Sequence, residues 1–136
     1  MTSPDVRLLL VDDAEDLRFL LRLTFDRHPR VQIVGEAGDG DEALALIAEQ
    51  SPDLVLLDIE MPRRNGLEVL DALRSATDRP VVVMLSGVST ELLREGATER
   101  GADGFVEKSV RPAALLDQVL AIHDAARPAS ASGGTT

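Results

Sequence analysis

Five residues in this chain have the chemistry to handle a phosphoryl group or a divalent cation. Asp12 and Asp13 follow the apolar run Leu8-Leu9-Leu10-Val11. Asp58 closes the run Leu54-Val55-Leu56-Leu57, Ser86 follows Val81-Val82-Val83-Met84-Leu85, and Lys108 follows Gly104-Phe105-Val106-Glu107. Two carboxylates about 5 Å apart repel by roughly 3 kcal/mol at an effective dielectric near 20. Three in one crevice require a proton or a cation. Mg²⁺ is a hard ion that takes oxygen ligands, typically one or two carboxylates with waters and a phosphate oxygen. A carboxylate in such a site can attack phosphorus and become an aspartyl phosphate. An ammonium and a hydroxyl would then bond the phosphoryl oxygens.

Taken singly, each residue also has an ordinary structural role. Asp12 or Asp13 can cap the next helix, with Glu15 or Asp16 as the partner in a capping box. Asp58, shortly before Met61-Pro62, can shape a turn. Ser86-Gly87 can end a strand, and most lysines are solvated. The functional reading depends on whether the fold gathers the five residues.

Three apolar runs, residues 6–11, 54–57 and 81–85, are Leu-rich or β-branched and scarcely alternate. Such runs predict strands buried on both faces of a parallel sheet. Residues 32–37 and 104–107 read as weaker strands. Between them lie helical stripes: Leu17, Leu20, Leu21 and Phe25; then Ala43, Leu44 and Ile47; then Leu67, Leu70 and Leu73; then Leu92, Leu93 and Ala97; and last Leu115, Leu116, Val119 and Ile122. Gly96 weakens the fourth stripe. Pro112 sits near the first turn of the fifth. A β-α unit repeated five times predicts an α/β fold with a five-stranded parallel sheet and right-handed crossovers, doubly wound and flavodoxin-like. The carboxyl ends of parallel strands share one edge, and ligands bind where the strand order reverses. If the order is 2-1-3-4-5, that point lies between the first and third strands, which carry the three aspartates.

The chain has 136 residues, enough for one domain, and 24 acids against 14 bases. A net charge of −10 argues against binding nucleic-acid backbones directly, and against anionic membranes. With three Phe and neither Tyr nor Trp, there is little on which to stack bases. There is no cysteine, so disulfides and thiolate sites are excluded and a cytoplasmic setting is expected. The start of the chain lacks a basic region, and its apolar run is too short for a signal or a span. The domain is expected to cover residues 5–126, with 127–136 as a disordered tail or linker.

At this point the sequence resembles the receiver domain of two-component response regulators. The resemblance runs from Val6 to about Ile122. It rests on Leu-Leu-Val-Asp-Asp (9–13), Pro-Asp-Leu-Val-Leu-Leu-Asp-Ile-Glu-Met-Pro (52–62), Asn65-Gly66, Leu-Ser-Gly (85–87) and Gly-Ala-Asp-Gly-Phe-Val-Glu-Lys (101–108). It implies that Asp58 accepts a phosphoryl group from a sensor histidine kinase or phosphotransfer protein. It implies Mg²⁺ held by Asp13 and Asp58, with Asp12 acting mostly through water and the Glu60 carbonyl completing the set. Ser86 and Lys108 match the phosphate-binding pair, and Phe105 matches the switch aromatic. The implied output is a change in the face formed by helix 4, strand 5 and helix 5, read by an unknown protein. The protein would be a monomer or a phosphorylation-dependent dimer.

Residues 34–44 are most similar to receivers joined to helix-turn-helix domains. If 136 residues are the whole protein, it would be a stand-alone receiver that acts through a protein contact. Three positions depart from the common pattern. Ser109 replaces a proline that usually follows the lysine in a cis peptide, so the loop after strand 5 is expected to differ. Phe105 lacks a tyrosine hydroxyl and can be a plain core residue. Glu60 can position a water or simply be solvated. The expected chemistry is confined to the chain's own phosphoryl transfer and dephosphorylation, so it is not read as an enzyme acting on other substrates. A haloacid-dehalogenase-type phosphatase would want Asp-x-Asp after the first strand, where this chain has Asp12-Asp13-Ala14-Glu15. A flavodoxin-like cofactor binder would want a loop there that cradles phosphate. A phosphate-independent docking module is the remaining alternative.

Overall fold

The computed structural model describes residues 5–88 and 90–127. The elements are β1 (Val6–Val11), α1 (Glu15–Asp26), β2 (Val31–Ala37), α2 (Gly40–Gln50), β3 (Leu54–Asp58), α3 (Gly66–Leu73), β4 (Val81–Ser86), α4 (Glu91–Glu99), β5 (Gly104–Glu107) and α5 (Pro112–Ala126). The strands form one sheet in the order β2-β1-β3-β4-β5, and every pair is parallel. The order reverses between β1 and β3, the two strands whose carboxyl ends lead to the three aspartates.

The near-continuous apolar runs have a direct physical cause. Successive strand residues point to opposite faces, and both faces here are covered. Leu8, Leu10, Leu56 and Val83 pack with Leu21 and Phe25 of α1 and Leu115 and Val119 of α5. Leu9, Val11, Leu57 and Met84 pack with Ala43 of α2, Val69 and Leu70 of α3, and Ala97 of α4.

Register decides what meets at the carboxyl edge. Val11 pairs with Leu57, so Asp12 and Asp58 come next on adjacent strands. Asp58 pairs with Leu85, one residue before Ser86. Ser86 pairs with Glu107, and the Lys108 amide donates to the Ser86 carbonyl at 2.9 Å. That bond carries the ladder past the end of β5. The Lys108–Ser109 link is trans, since the described residues contain no cis peptide bond.

Helix starts follow local chemistry. Asp39 accepts from the Glu42 amide, and Thr90 accepts from the Leu93 amide. Asn65 and Glu68 form a reciprocal capping box. Pro112 opens α5. At α1 the cap residue is Ala14, without a side-chain bond, so neither Asp12 nor Asp13 serves as that helix's cap. Among its described residues α4 fully buries only Ala97, and Leu92 is 80% exposed. No described helix is long and apolar enough to cross a membrane. The expected tail, apart from Arg127, lies outside the described residues.

Candidate functional site

Asp58 is 2% exposed and Asp12 is 1% exposed, whereas Asp13 faces solvent. One carboxylate oxygen from each lies within 4.8 Å of the others. Lys108 reaches in from the end of β5. Its Nζ is 3.0 Å from Asp12 Oδ2 and 3.2 Å from Asp58 Oδ1. The lysine is therefore drawn into the crevice.

Most of the polar atoms around this crevice are satisfied. Asp12 Oδ1 accepts from the Ala14 amide at 2.8 Å. The Asp12 amide donates to the Ala37 carbonyl at 3.0 Å, and its carbonyl accepts from Arg18 Nη1 at 2.6 Å. Two carboxylate oxygens are exceptions, and of these Asp58 Oδ2 is buried with no hydrogen-bond partner. Asp12 Oδ2 has the ion pair with Lys108 but no well-directed hydrogen bond. Orphaned buried oxygens of this kind are costly, and a ligand or ion can satisfy them.

Burial pushes the Asp58 carboxyl up to about 7, and the neighbouring Asp12 charge adds to the rise. Lys108 and a hydrogen bond from the Glu60 backbone act against it. For Lys108 itself burial pulls downward, but its contacts with Asp12 and Asp58 prevail and hold the ammonium above its ordinary range. The crevice is short of positive charge even with the lysine in place.

The Ser86 hydroxyl donates to the Val88 carbonyl at 2.8 Å and accepts from the Val88 amide at 3.0 Å. Its present role is thus the strand-ending turn. Glu60 is exposed on the loop after β3. Phe105 is half-buried against the core shared with α4, and the Arg94 guanidinium lies 4.6 Å from its ring centroid. Arg94 also pairs with Glu107 at 3.4 Å.

Two supporting residues carry little sequence signal. Gly66 packs so closely that a Cβ there would lie 2.3 Å from the Asp58 carbonyl oxygen. The Asn65-Gly66 pair announces a turn but not this approach. Arg18 meets a backbone carbonyl, for which no residue pattern exists.

A doubly wound sheet with paired acids after β1, an acid after β3 and a lysine after β5 is the architecture of a receiver. The chain belongs to that family: the sequence model of the response regulator receiver domain matches residues 8–120. It is a receiver domain of two-component signalling. The chain is 40% identical to the nitrate/nitrite response regulator protein NarL of Escherichia coli over 121 residues, covering 88% of this chain and 54% of NarL. It thus spans about half the length of that relative. A LuxR-family two-component response regulator from Aurantimonas superposes with a TM-score of 0.83 at 31% identity, covering 91% of this chain and 87% of that one. A CheX–CheY–BeF₃–Mg²⁺ complex from Borrelia burgdorferi superposes with a TM-score of 0.79 at 28% identity, covering 86% and 88%.

Proposed function

We propose that this receiver is a phosphorylation switch with Asp58 as the phosphoacceptor. The observation that carries this reading is the buried Asp58 carboxyl: Oδ2 lacks a partner, while Asp12, Asp13 and Lys108 converge beside it. An Asp58 carboxylate oxygen forms a bond to phosphorus as the phosphorus–nitrogen bond of a phosphohistidine breaks. The histidine leaves with the electron pair of that bond and is protonated. The donor is a sensor histidine kinase or a phosphotransfer protein.

The donor set fits Mg²⁺. It is all oxygen, two of its three carboxylates are buried, and two of their oxygens lack well-directed hydrogen bonds. Asp12, Asp13, Asp58 and the Glu60 backbone carbonyl would hold it. When bound, the ion supplies positive charge to the carboxylates and to the phosphoryl oxygens. The relative crystallised with BeF₃ and Mg²⁺ supports this assignment.

Lys108, which pairs with Asp12 and Asp58, would neutralise an added phosphoryl group. Ser86 must leave Val88 in order to donate to a phosphoryl oxygen. That exchange links the site to the loop before α4. Movement there reaches Phe105 through Arg94, which spans α4 and β5. The output is a change in the α4-β5-α5 face read by a partner protein. The thinly buried α4 suits such a movable element.

Incubation with acetyl phosphate and Mg²⁺ tests the reading. Intact mass should show one phosphoryl group on the wild type and none on Asp58→Ala. Stoichiometric labelling of Asp58→Ala would refute it.

A further inference from the structure

Asp13 is the exposed member of the carboxylate cluster, and its side chain makes no hydrogen bond or ion pair with a described residue. Its place beside Asp12 and Asp58 is therefore set by the backbone. The peptide joining Asp12 to Asp13 is planar. Whatever fixes the Asp12 carbonyl also fixes the point from which Asp13 projects.

Arg18 of α1 fixes it. Nη1 donates to the Asp12 carbonyl at 2.6 Å. The guanidinium is oriented by a second bond, from Nε to Glu36 Oε1 on β2 at 3.3 Å. Glu36 is held in turn, since its Oε2 accepts from Arg22 Nη1 at 2.7 Å. Gly38 gives the guanidinium room: a Cβ there would lie 3.3 Å from Arg18 Nη1. The Arg18 side chain is only 18% exposed, so solvent competes weakly for these bonds.

We propose that Arg18, oriented by Glu36, is a positioning residue for the divalent-cation site, holding the 12–13 peptide so that the Asp13 carboxylate meets the ion. The proposal rests on the reading of the acid cluster given above. Partners that orient metal ligands commonly matter by 10- to 100-fold in affinity.

The test is a Mg²⁺ titration without a phosphodonor, followed by backbone amide NMR. The variants are Arg18→Met, Arg18→Lys, Glu36→Gln and Asp13→Ala. Arg18→Met should raise the Mg²⁺ dissociation constant about tenfold or more. In its ion-free spectrum the Asp13 amide should be displaced while β4 and β5 amides stay in place. Arg18→Lys, which retains a donor, should recover part of the affinity. Glu36→Gln should weaken binding by a smaller factor. A purely structural role would not produce lysine rescue together with a displacement local to Asp13.

An Arg18→Met affinity within twofold of wild type would overturn the proposal. If that variant does not fold, a Glu36→Gln affinity equal to wild type would do so. Failure of the underlying reading gives a different result. In that case the wild type would not bind Mg²⁺, or Asp13→Ala would bind it as tightly as wild type.

Discussion

The Ser86 hydroxyl donates to the Val88 carbonyl at 2.8 Å and so is committed to its own turn, while Asp58 Oδ2 stands without a partner. The two groups belong to adjacent, paired strands. Phosphorylation is therefore expected to exchange one bond for another. Ser86→Ala should still be labelled at Asp58, but more slowly by roughly 10- to 100-fold, the worth of one hydrogen bond to a charged group. Quench-flow or timed mass spectrometry with acetyl phosphate measures this. An unchanged rate would remove Ser86 from the reaction.

Asp58 should make the ion-free protein less stable as pH rises. Its folded value near 7 exceeds its ordinary 3.8 because it is buried beside Asp12. The folded chain thus holds a proton that the unfolded chain has already released. This contribution to stability is present at low pH and is lost as pH rises from 3.8 through about 7. Asp58→Asn should exceed the wild type by roughly 2–4 kcal/mol in urea unfolding at pH 8, with a gap roughly half as large or less at pH 5. Equal gaps at the two pH values would contradict the assignment.

Removing the lysine should hurt most where the carboxylates are charged. Lys108 Nζ touches both Asp12 and Asp58, and its own side chain is 26% exposed. Lys108→Met is expected to cost about 1–3 kcal/mol at pH 8, less than the loss of a fully buried partner. The cost should shrink at pH 5, where Asp58 can take up a proton. Urea titrations at the two pH values give the comparison.

The turn after Asp58 tolerates no side chain at its closing glycine. A Cβ on Gly66 would lie 2.3 Å from the Asp58 carbonyl oxygen and 2.9 Å from the Ile59 Cα. Both obstacles are backbone, so the chain must shift. Gly66→Ala should destabilise by about 1–3 kcal/mol. It should also slow labelling at Asp58, because the shifted backbone carries the nucleophile. Thermal melts and labelling rates measure the two effects separately.

The parts of this molecule readable from sequence are those where one residue type has one physical use. Leu8 to Val11, Leu54 to Leu57 and Val81 to Leu85 read as central strands because both sheet faces are covered. The acids and serine that follow them, and the lysine after Gly104 to Glu107, stand out because a parallel sheet sends those ends to one edge. Pattern alone did not separate Asp12 from Asp13, since both follow β1. The pairing of Val11 with Leu57 makes Asp12 the buried one and leaves Asp13 outside. Gly66 was legible as a turn but not as a close contact of Asp58. Arg18 was not legible, because its partner at the site is a main-chain carbonyl, which every residue has.

The central claim is most directly tested by a structure of the wild type with Mg²⁺ and beryllofluoride. The account predicts the fluoride complex on the Asp58 carboxylate, Lys108 bonded to it, and the Ser86 hydroxyl released from Val88 to donate to a fluorine. A beryllofluoride-free Asp58, with Ser86 still bonded to Val88 at saturating Mg²⁺ and beryllofluoride, would contradict it.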